Sequence, residues 1–530
     1  MRSKLLTVAI AAGLGVTSFH VAADPASAKK GQTASQSAEA SRNAEIEALK
    51  AQLQALQAKV TELEQRTDAQ SDINVSTGQN LEAVQKQQVV ADAAIKKSAD
   101  KISYKGVNIT LGGFLAAETI YRTHNEGADI ASNFNAIPYK NSSVGRTSET
   151  HFTARQTRVS LLAQGDIDPN THVAGYIEAD FIGGAQTANQ NESNSFNPRE
   201  RNVYMTVDWD NPGLHLLAGQ NWSLLTLNSK GITPRQELTP PQIDAQYIPG
   251  FTWARQTQIR LVKDFNKQYW LGISLENPQT TFGVSPNQSK APVQPIYNTP
   301  AGSGYDSANT LSLNHIPDVV VKFAADPGFG HYEIFGVGRA FYNRYNSGQG
   351  NSNHNVYGGG YGIGVILPVV EKVLDFQFSG MQGRGIGRYG SSQLPDVTFR
   401  PNGSIAPIKE NMLLAGLTYH ATPDWDVYAF GGRERQQKEA FNYNGVPLGW
   451  GNAGYNNAGC DIEGGSCVGN TKQIWQGTLG FWWKFYQGKF GRAQFGAQYS
   501  HTQREAFEGI GGSPKAKEDM FFTSFRYYPF

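Results

Sequence analysis

The sequence predicts an all-β transmembrane barrel of sixteen antiparallel strands, preceded by an amino-terminal α-helical coiled coil. Three observations carry that prediction. From Val107 onward, apolar and polar residues alternate with a period of two in sixteen segments, each about as long as a tilted strand needs to cross a bilayer. The connections alternate as well, tight turns on one rim and long polar segments on the other, which is the layout of an outer-membrane barrel. Upstream, a heptad seam replaces the period of two.

Composition agrees. There are 57 Gly, 27 Phe, 23 Tyr and 9 Trp against 5 Met and 2 Cys, with 39% hydrophobic and 17% charged residues. Abundant glycine and aromatics at low charge suit sheets whose two faces meet different solvents. A formal net charge of +1 gives no reason to expect a nucleic-acid partner.

Residues 1–23 have the layout of a secretory signal: Arg2 and Lys4, the apolar run Leu5 to Val16, then small residues. Cleavage is expected after Ala23, with Ala28 the alternative. No stretch beyond it approaches the ~18 to 20 continuous apolar residues of a membrane helix. Residues 24–40 form a polar linker. In residues 41–66, Ile46, Leu49, Leu53, Leu56, Val60 and Leu63 alternate spacings of three and four as a and d positions. Glu45 with Lys50, and Lys59 with Glu64, then fall at g and the following e with opposite charges, which predicts a parallel oligomer and leaves dimer against trimer open. A helical and polar linker is expected over 67–103, and the barrel over 104–530.

In the first strand Val107, Ile109, Leu111, Leu115, Ala117 and Tyr121 share one face, and Asn108, Thr110, Glu118 and Arg122 the other. Tight turns such as "DNPG", "DPGFG", "TPDW" and "YQGK" follow the even strands. The long segments, at about 123–152, 183–200, 221–252, 277–316, 344–355, 387–410, 436–472 and 503–516, follow the odd ones. Two even strands open on a faint repeat, "ARQTRVSLL" at 154–162 and "ARQTQIRLV" at 254–262. Arg158 and Arg260 there face the lumen, because arginine facing lipid near the midplane costs about 2 to 4 kcal/mol.

The third long segment, about 221–252, carries Pro234, Pro240, Pro241 and Pro249 among apolar Leu224, Leu225, Leu227 and Ile232. A solvated loop needs neither, so this one is expected to fold into the barrel and narrow the pore, the alternative being an apolar-tipped external loop that makes oligomer contacts. Selectivity would then come from side chains in the narrow zone. Candidates are Arg122, Arg158, Arg260 and Arg339 on the wall, with Lys230 and Arg235 on the loop. Acids of the same parity, among them Glu118, Glu178, Asp180, Asp318, Glu333 and Asp375, make the lining mixed, so parity alone does not settle its preference.

Cys460 and Cys467 lie in "AGCDIEGGSCVG" and are expected to pair as a disulfide in an oxidising compartment. No nucleophile–base constellation, zinc-spaced histidine pair or phosphate loop appears, so neither an enzyme nor a metal or other cofactor is expected.

The heptad segment, "KGVNITLGGFLAAETIYR", "LLAGQNWSLL", "GRGIGRYG", "FGGRER" and the ending "RYYPF" together resemble the DcaP-type porins of Gram-negative outer membranes. That resemblance covers nearly the whole chain. It implies a homotrimeric sixteen-stranded channel with a periplasmic coiled coil, set among outer-membrane lipid and lipopolysaccharide. It also implies uptake of small anionic organic solutes such as dicarboxylates, and a terminal Phe530 that marks the last strand for assembly. Phosphate-selective porins share the plan and make phosphate the alternative anion. A surface adhesin or a barrel-borne hydrolase is the alternative of a different class. In the ending "FFTSFRYYPF", Phe521, Thr523, Phe525 and Tyr527 are expected to face lipid and Ser524 and Arg526 the lumen. Pro529 would let Phe530 return to the lipid side.

Overall fold

The computed structural model describes residues 101–183, 196–296, 314, 316–346 and 350–530, with Glu47 and Lys59. The expected signal peptide, polar linker and heptad seam lie outside the described residues, apart from those two helical positions. The fold concerns the unit from Lys97 onward.

Sixteen antiparallel strands form its wall: β1 Val107–Arg122, β2 Arg158–Asp168, β3 Thr171–Gly183, β4 Asn197–Trp209, β5 Leu214–Trp222, β6 Arg255–Phe265, β7 Tyr269–Glu276, β8 Asp318–Ala325, β9 His331–Asn346, β10 Asn351–Val370, β11 Leu374–Arg384, β12 Lys409–Thr422, β13 Trp425–Gln436, β14 Thr471–Gly488, β15 Gly491–Ala506 and β16 Lys515–Tyr528. Each pairs with the next, and the ring closes where β16 pairs with β1 in the register Leu115↔Tyr527 to Arg122↔Met520. Closure leaves no unpaired edge, the condition for strands in hydrocarbon.

Side-chain parity follows the expected alternation. Leu115, Ile259, Leu479 and Phe525 are more than half exposed on the outer face, whereas Glu118, Arg260, Thr478 and Ser524 point inward and are buried. Phe521 and Phe525 face out and Phe522 and Ser524 face in, as the terminal pattern requires. The strand ends at Tyr528, and Phe530 beyond Pro529 is exposed. Aromatic side chains gather at the short-turn end, where Tyr269 stacks with Phe323 at 6.3 Å and Trp425 with Trp483 at 5.7 Å. Such rings suit the bilayer interface.

Two expected boundaries move. Lys101–Tyr104 pairs with the start of β1 through a turn at Lys105 and Gly106, both at positive φ, so the linker expected to reach residue 103 becomes a strand at 101. The long segment expected at 344–355 is mostly strand: Tyr342↔Asn355 to Asn346↔Asn351 are paired, so β9 and β10 extend as a polar ribbon. Polar residues there masked the alternation, because a ribbon beyond the membrane has no lipid-facing side to keep apolar.

The core is not between two sheets. It lies inside the barrel, where three long loops pack on the inner wall. The segment after β1 contributes Ile130, Phe134 and Ile137, which join Trp222, Ile243, Phe251 and Tyr428. The segment after β5 contributes Leu224, Leu225 and Ile232 against Trp270, Val320 and Phe335. The segment after β11 forms a small two-stranded sheet, Val397–Phe399 with Ile405–Pro407, packed on Phe341. This third inward loop was expected only as a long polar segment.

Candidate functional site

The loop of residues 223–254 crosses the lumen and is fixed at both ends of its span. On one side, Asn228 N donates to Glu333 Oε1 at 2.9 Å, and Lys322 Nζ reaches the Thr226 carbonyl at 2.6 Å. On the other, Ile243 N donates to Gln498 Oε1 at 2.6 Å and Trp482 Nε1 to the Pro241 carbonyl at 2.8 Å. Farther along, Glu434 accepts from Gly250 N at 2.7 Å and from Ser392 N at 3.0 Å, clipping this loop and the one after β11 to β13. The wall makes room for it: a Cβ at Gly432 would lie 1.9 Å from the Pro249 carbonyl. Buried amides with acceptors on opposite walls give the loop a single resting place.

The crossing leaves three cavities that adjoin at Thr239. One of about 420 Å³ lies between Phe114, Arg158, Pro241, Trp482 and Arg526. A narrower one of about 210 Å³ lies between Arg158, Tyr176, Arg201, Tyr204, Arg235 and Tyr247. The third, about 590 Å³, opens toward the short-turn rim past Lys230, Asp326, His331, Asp375, His420 and Asp426.

Cations concentrate in the two narrower cavities. Arg158, partly exposed, stands 3.7 Å from Glu178 and above Phe114, and its Nε finds no acceptor among the described residues. Arg235 donates to the Tyr204 hydroxyl at 3.1 Å, lies over Tyr176, and is in no ion pair among the described residues. Its backbone sits at φ +67°, a left-handed conformation that a non-glycine residue holds only when its surroundings impose it. Arg201 bonds Glu178 at 2.7 Å and Asp180 at 2.8 Å, and Arg526 bonds Glu118 at 3.1 Å while lying over Phe114 and Trp482. Glu118, Glu178 and Asp180 are therefore engaged, whereas Glu237, which also lines the narrower cavity, accepts from Asn221 at 2.8 Å and is in no ion pair among the described residues. Tyr247, on the loop, registers the field: burial pushes its hydroxyl up, yet Arg201, Arg158 and Arg255 together hold it below the usual tyrosine range.

The expected lining residues divide. Arg158 and Arg235 line the narrow cavities, and Lys230 is exposed in the wide one. Arg122, Arg260 and Arg339 point inward but do not line any of the three. Arg122 is buried under the first loop with Glu126 at 3.5 Å and Glu149 at 3.1 Å. Arg260 is covered by the crossing loop and donates to the Trp222 carbonyl at 2.5 Å. Arg339 is enclosed by the loop after β11, with Asp318 at 3.0 Å and Asp396 at 2.7 Å. Burial under loops, which parity does not see, is the reason. Arg201 and Arg526 take their place; Arg526 was readable as lumenal, whereas a register shift between Glu178 and Ala179 beside β4 obscured Arg201.

The short-turn rim carries a feature not expected from sequence: four histidines, each bridging two carboxylates. His172 joins Asp166 and Asp210, His215 joins Asp208 and Asp264, His331 joins Asp326 and Glu333, and His420 joins Asp375 and Asp426, all within 3.2 Å. These brackets tie neighbouring strands together. At the opposite end, Cys460 and Cys467 form a disulfide in the segment after β13. No group of three or more His, Cys, Asp or Glu among the described residues has the arrangement of a metal site.

A closed sixteen-stranded wall with a loop crossing an arginine-lined lumen defines an outer-membrane-type barrel. No family model matches the sequence, and a search of curated proteins finds no match. Solved structures do match in fold. The outer membrane channel DcaP of Acinetobacter baumannii is 16% identical over 81% of this chain and 100% of that one, with a TM-score of 0.56. An anion-selective porin from Comamonas acidovorans covers 80% of this chain and 99% of its own at 10% identity and TM-score 0.44. OmpF of Salmonella typhi covers 81% and 99% at 10% and 0.45. The likeness to the DcaP channel establishes a shared barrel fold; the other two are too distant in shape to bear on the site.

Proposed function

We propose that this chain is a porin of the Gram-negative outer membrane, a passive diffusion channel that favours small anionic organic solutes such as dicarboxylates. The observation that carries the reading is the convergence of Arg158, Arg201, Arg235 and Arg526 on the cavities left by the crossing loop. In a narrow, partly desolvated passage these charges lower the barrier for anions and raise it for cations. Arg158 and Arg235 do most, since their guanidinium groups are the least neutralised. A guanidinium also matches a carboxylate as a bidentate partner, which favours organic acids over spherical anions. The heptad segment would hold three such chains together from the periplasm.

The test is conductance of the purified protein in planar bilayers under a salt gradient. An anion-selective reversal potential, and block of the current by a dicarboxylate at lower concentration than by inorganic phosphate, are expected. Absence of conducting steps overturns the porin reading. A cation-selective potential overturns the anion assignment, and stronger block by phosphate assigns the site to inorganic anions.

A further inference from the structure

All four bracketing histidines of the short-turn rim stand at inward positions. His172 shares a strand face with Glu178, His215 with Leu217, His331 with Arg339 and His420 with Leu414. In each, both ring nitrogens meet carboxylate oxygens. His172 has Asp166 at 2.6 Å and Asp210 at 3.2 Å, and His215 has Asp208 at 2.7 Å and Asp264 at 3.0 Å. His331 has Asp326 at 2.8 Å and Glu333 at 3.0 Å, and His420 has Asp426 at 2.6 Å and Asp375 at 3.2 Å. A carboxylate only accepts and a neutral imidazole has one N–H, so both bonds exist together only when the ring carries two protons. Toward the long-loop end, His151 and His501 each meet a single carboxylate, Glu149 and Asp519, which a neutral ring can satisfy.

The brackets of His331 and His420 line the wide cavity, which adjoins the arginine-lined ones at Thr239. An ion leaving those arginines toward the short-turn rim therefore passes Asp326, Asp375 and Asp426. Fixed cations neutralise part of the set: Lys322 lies 2.7 Å from Glu333, Lys484 lies 2.7 Å from Asp426, and Lys230 is exposed in the cavity. Asp168 stands beside His172, and Lys263 turns to the Asp264 carbonyl near His215. The two lysine pairs account for two of the eight bracketing carboxylates, and four imidazolium charges offset most of the others. Four neutral rings offset none. Histidine is the side chain whose proton comes and goes near neutral pH. Fixed charge in the mouth of a narrow, water-poor passage acts on every ion that crosses it.

We propose that the brackets form a second selectivity zone in series with the arginines, and that the protons on His331 and His420 set its charge. Protonated, the mouth is close to neutral, and anions drawn in by Arg158 and Arg235 leave through it. Deprotonated, it is an arc of carboxylates that holds anions back and admits cations. His172 and His215 add to the same field from β3 and β5. The inference rests on the porin reading for the passage of ions, but not on which anion is carried.

The test is the reversal potential of the full chain in planar bilayers under a salt gradient, at about pH 5.5 and about pH 8.5. The anion-to-cation permeability ratio of the wild type should fall about threefold as pH rises, the effect of about one kT of mouth potential. A variant with H331Q and H420Q should show the low ratio at both pH values. D375N, which removes a carboxylate, should raise the ratio at the higher pH. H420Q alone, whose side chain is 33% exposed, supplies the same comparison at smaller amplitude if the double variant does not fold. Asp244 and Tyr247 are present in both proteins and drop out of the comparison. A wild-type ratio indifferent to pH, or a histidine variant that follows pH as the wild type does, overturns the inference. Lost heat resistance with the wild-type pH response kept would reduce the brackets to strand ties. Absence of conducting steps would instead sink the porin reading, and a cation-selective channel with the same pH shift would sink the anion assignment alone.

Discussion

The two sides of the lumen obey the same alternation and end in opposite conditions. On β8 and β9, four inward charges are sealed by loops: Lys322 and Glu333 meet at 2.7 Å with no exposed surface, and Arg339 is shared between Asp318 and the loop's Asp396. On β2, β4 and β16, Arg158, Arg201 and Arg526 border open cavities, joined by Arg235 from the loop. Strand period decides which residues point inward; loops decide which of them meet water. One set of arginines is enclosed in ion pairs and the other borders open cavities.

Substitutions on the two sides should therefore fail differently. The largest expected effect is Arg339→Ala, which leaves Asp318 and Asp396 buried without their partner and should cost about 3 to 5 kcal/mol. Heat-induced mobility shift on gels measures it, and a loss under ~1 kcal/mol would show the sealed side to be wetter than described. The second concerns Asp244 on the crossing loop, which accepts from Ser132 N at 3.1 Å and Gln246 N at 2.8 Å. Desolvation pushes its carboxyl up to about 6 from 3.8, against the pull of Arg122. A raised acid binds its proton more tightly folded than unfolded, so this group's contribution is greatest below about pH 4. It falls by about 3 kcal/mol as pH rises through about 6. Channel closures should be rarer at pH 5 than at pH 7.5, and Asp244→Asn should flatten that difference.

Third, Glu434→Ala removes the acceptor shared by Gly250 and Ser392, leaving two buried donors at about 1 to 3 kcal/mol each. Larger and noisier single-channel steps are expected, and unaltered steps would show that the other anchors hold the loop alone. Smallest in stability is the pair Arg158→Gln with Arg235→Gln, expected within about 1 kcal/mol of wild type. That pair should move the reversal potential toward zero, whereas Arg260→Gln should leave it in place. A reversal of those two outcomes would collapse the distinction between the sides.

Most of the wall was legible because lipid on one face and loops or water on the other impose a period of two that nothing else in the chain imitates. The inward direction of Arg158, Arg260 and Arg339 followed from it directly. What parity could not supply was depth. The segment after β11 looked like a polar connection, yet Ile386, Leu394, Val397, Phe399 and Ile405 are fully buried. Its apolar residues are spaced irregularly because the loop packs by shape rather than by period. The histidine brackets were hidden for a related reason: their partners come from different hairpins, as with His215 between Asp208 and Asp264.

The seam between β16 and β1 has a consequence for quality control. Ser524 and Arg526 both bond Glu118 across it, and the same Arg526 stands in the cavity beside Arg158. A barrel stalled one strand short would not be merely a leaky version of the finished one. It would lack a guanidinium of the lumen and carry a bare glutamate in its place, so completing the wall and setting the charge of the narrow cavity are a single event.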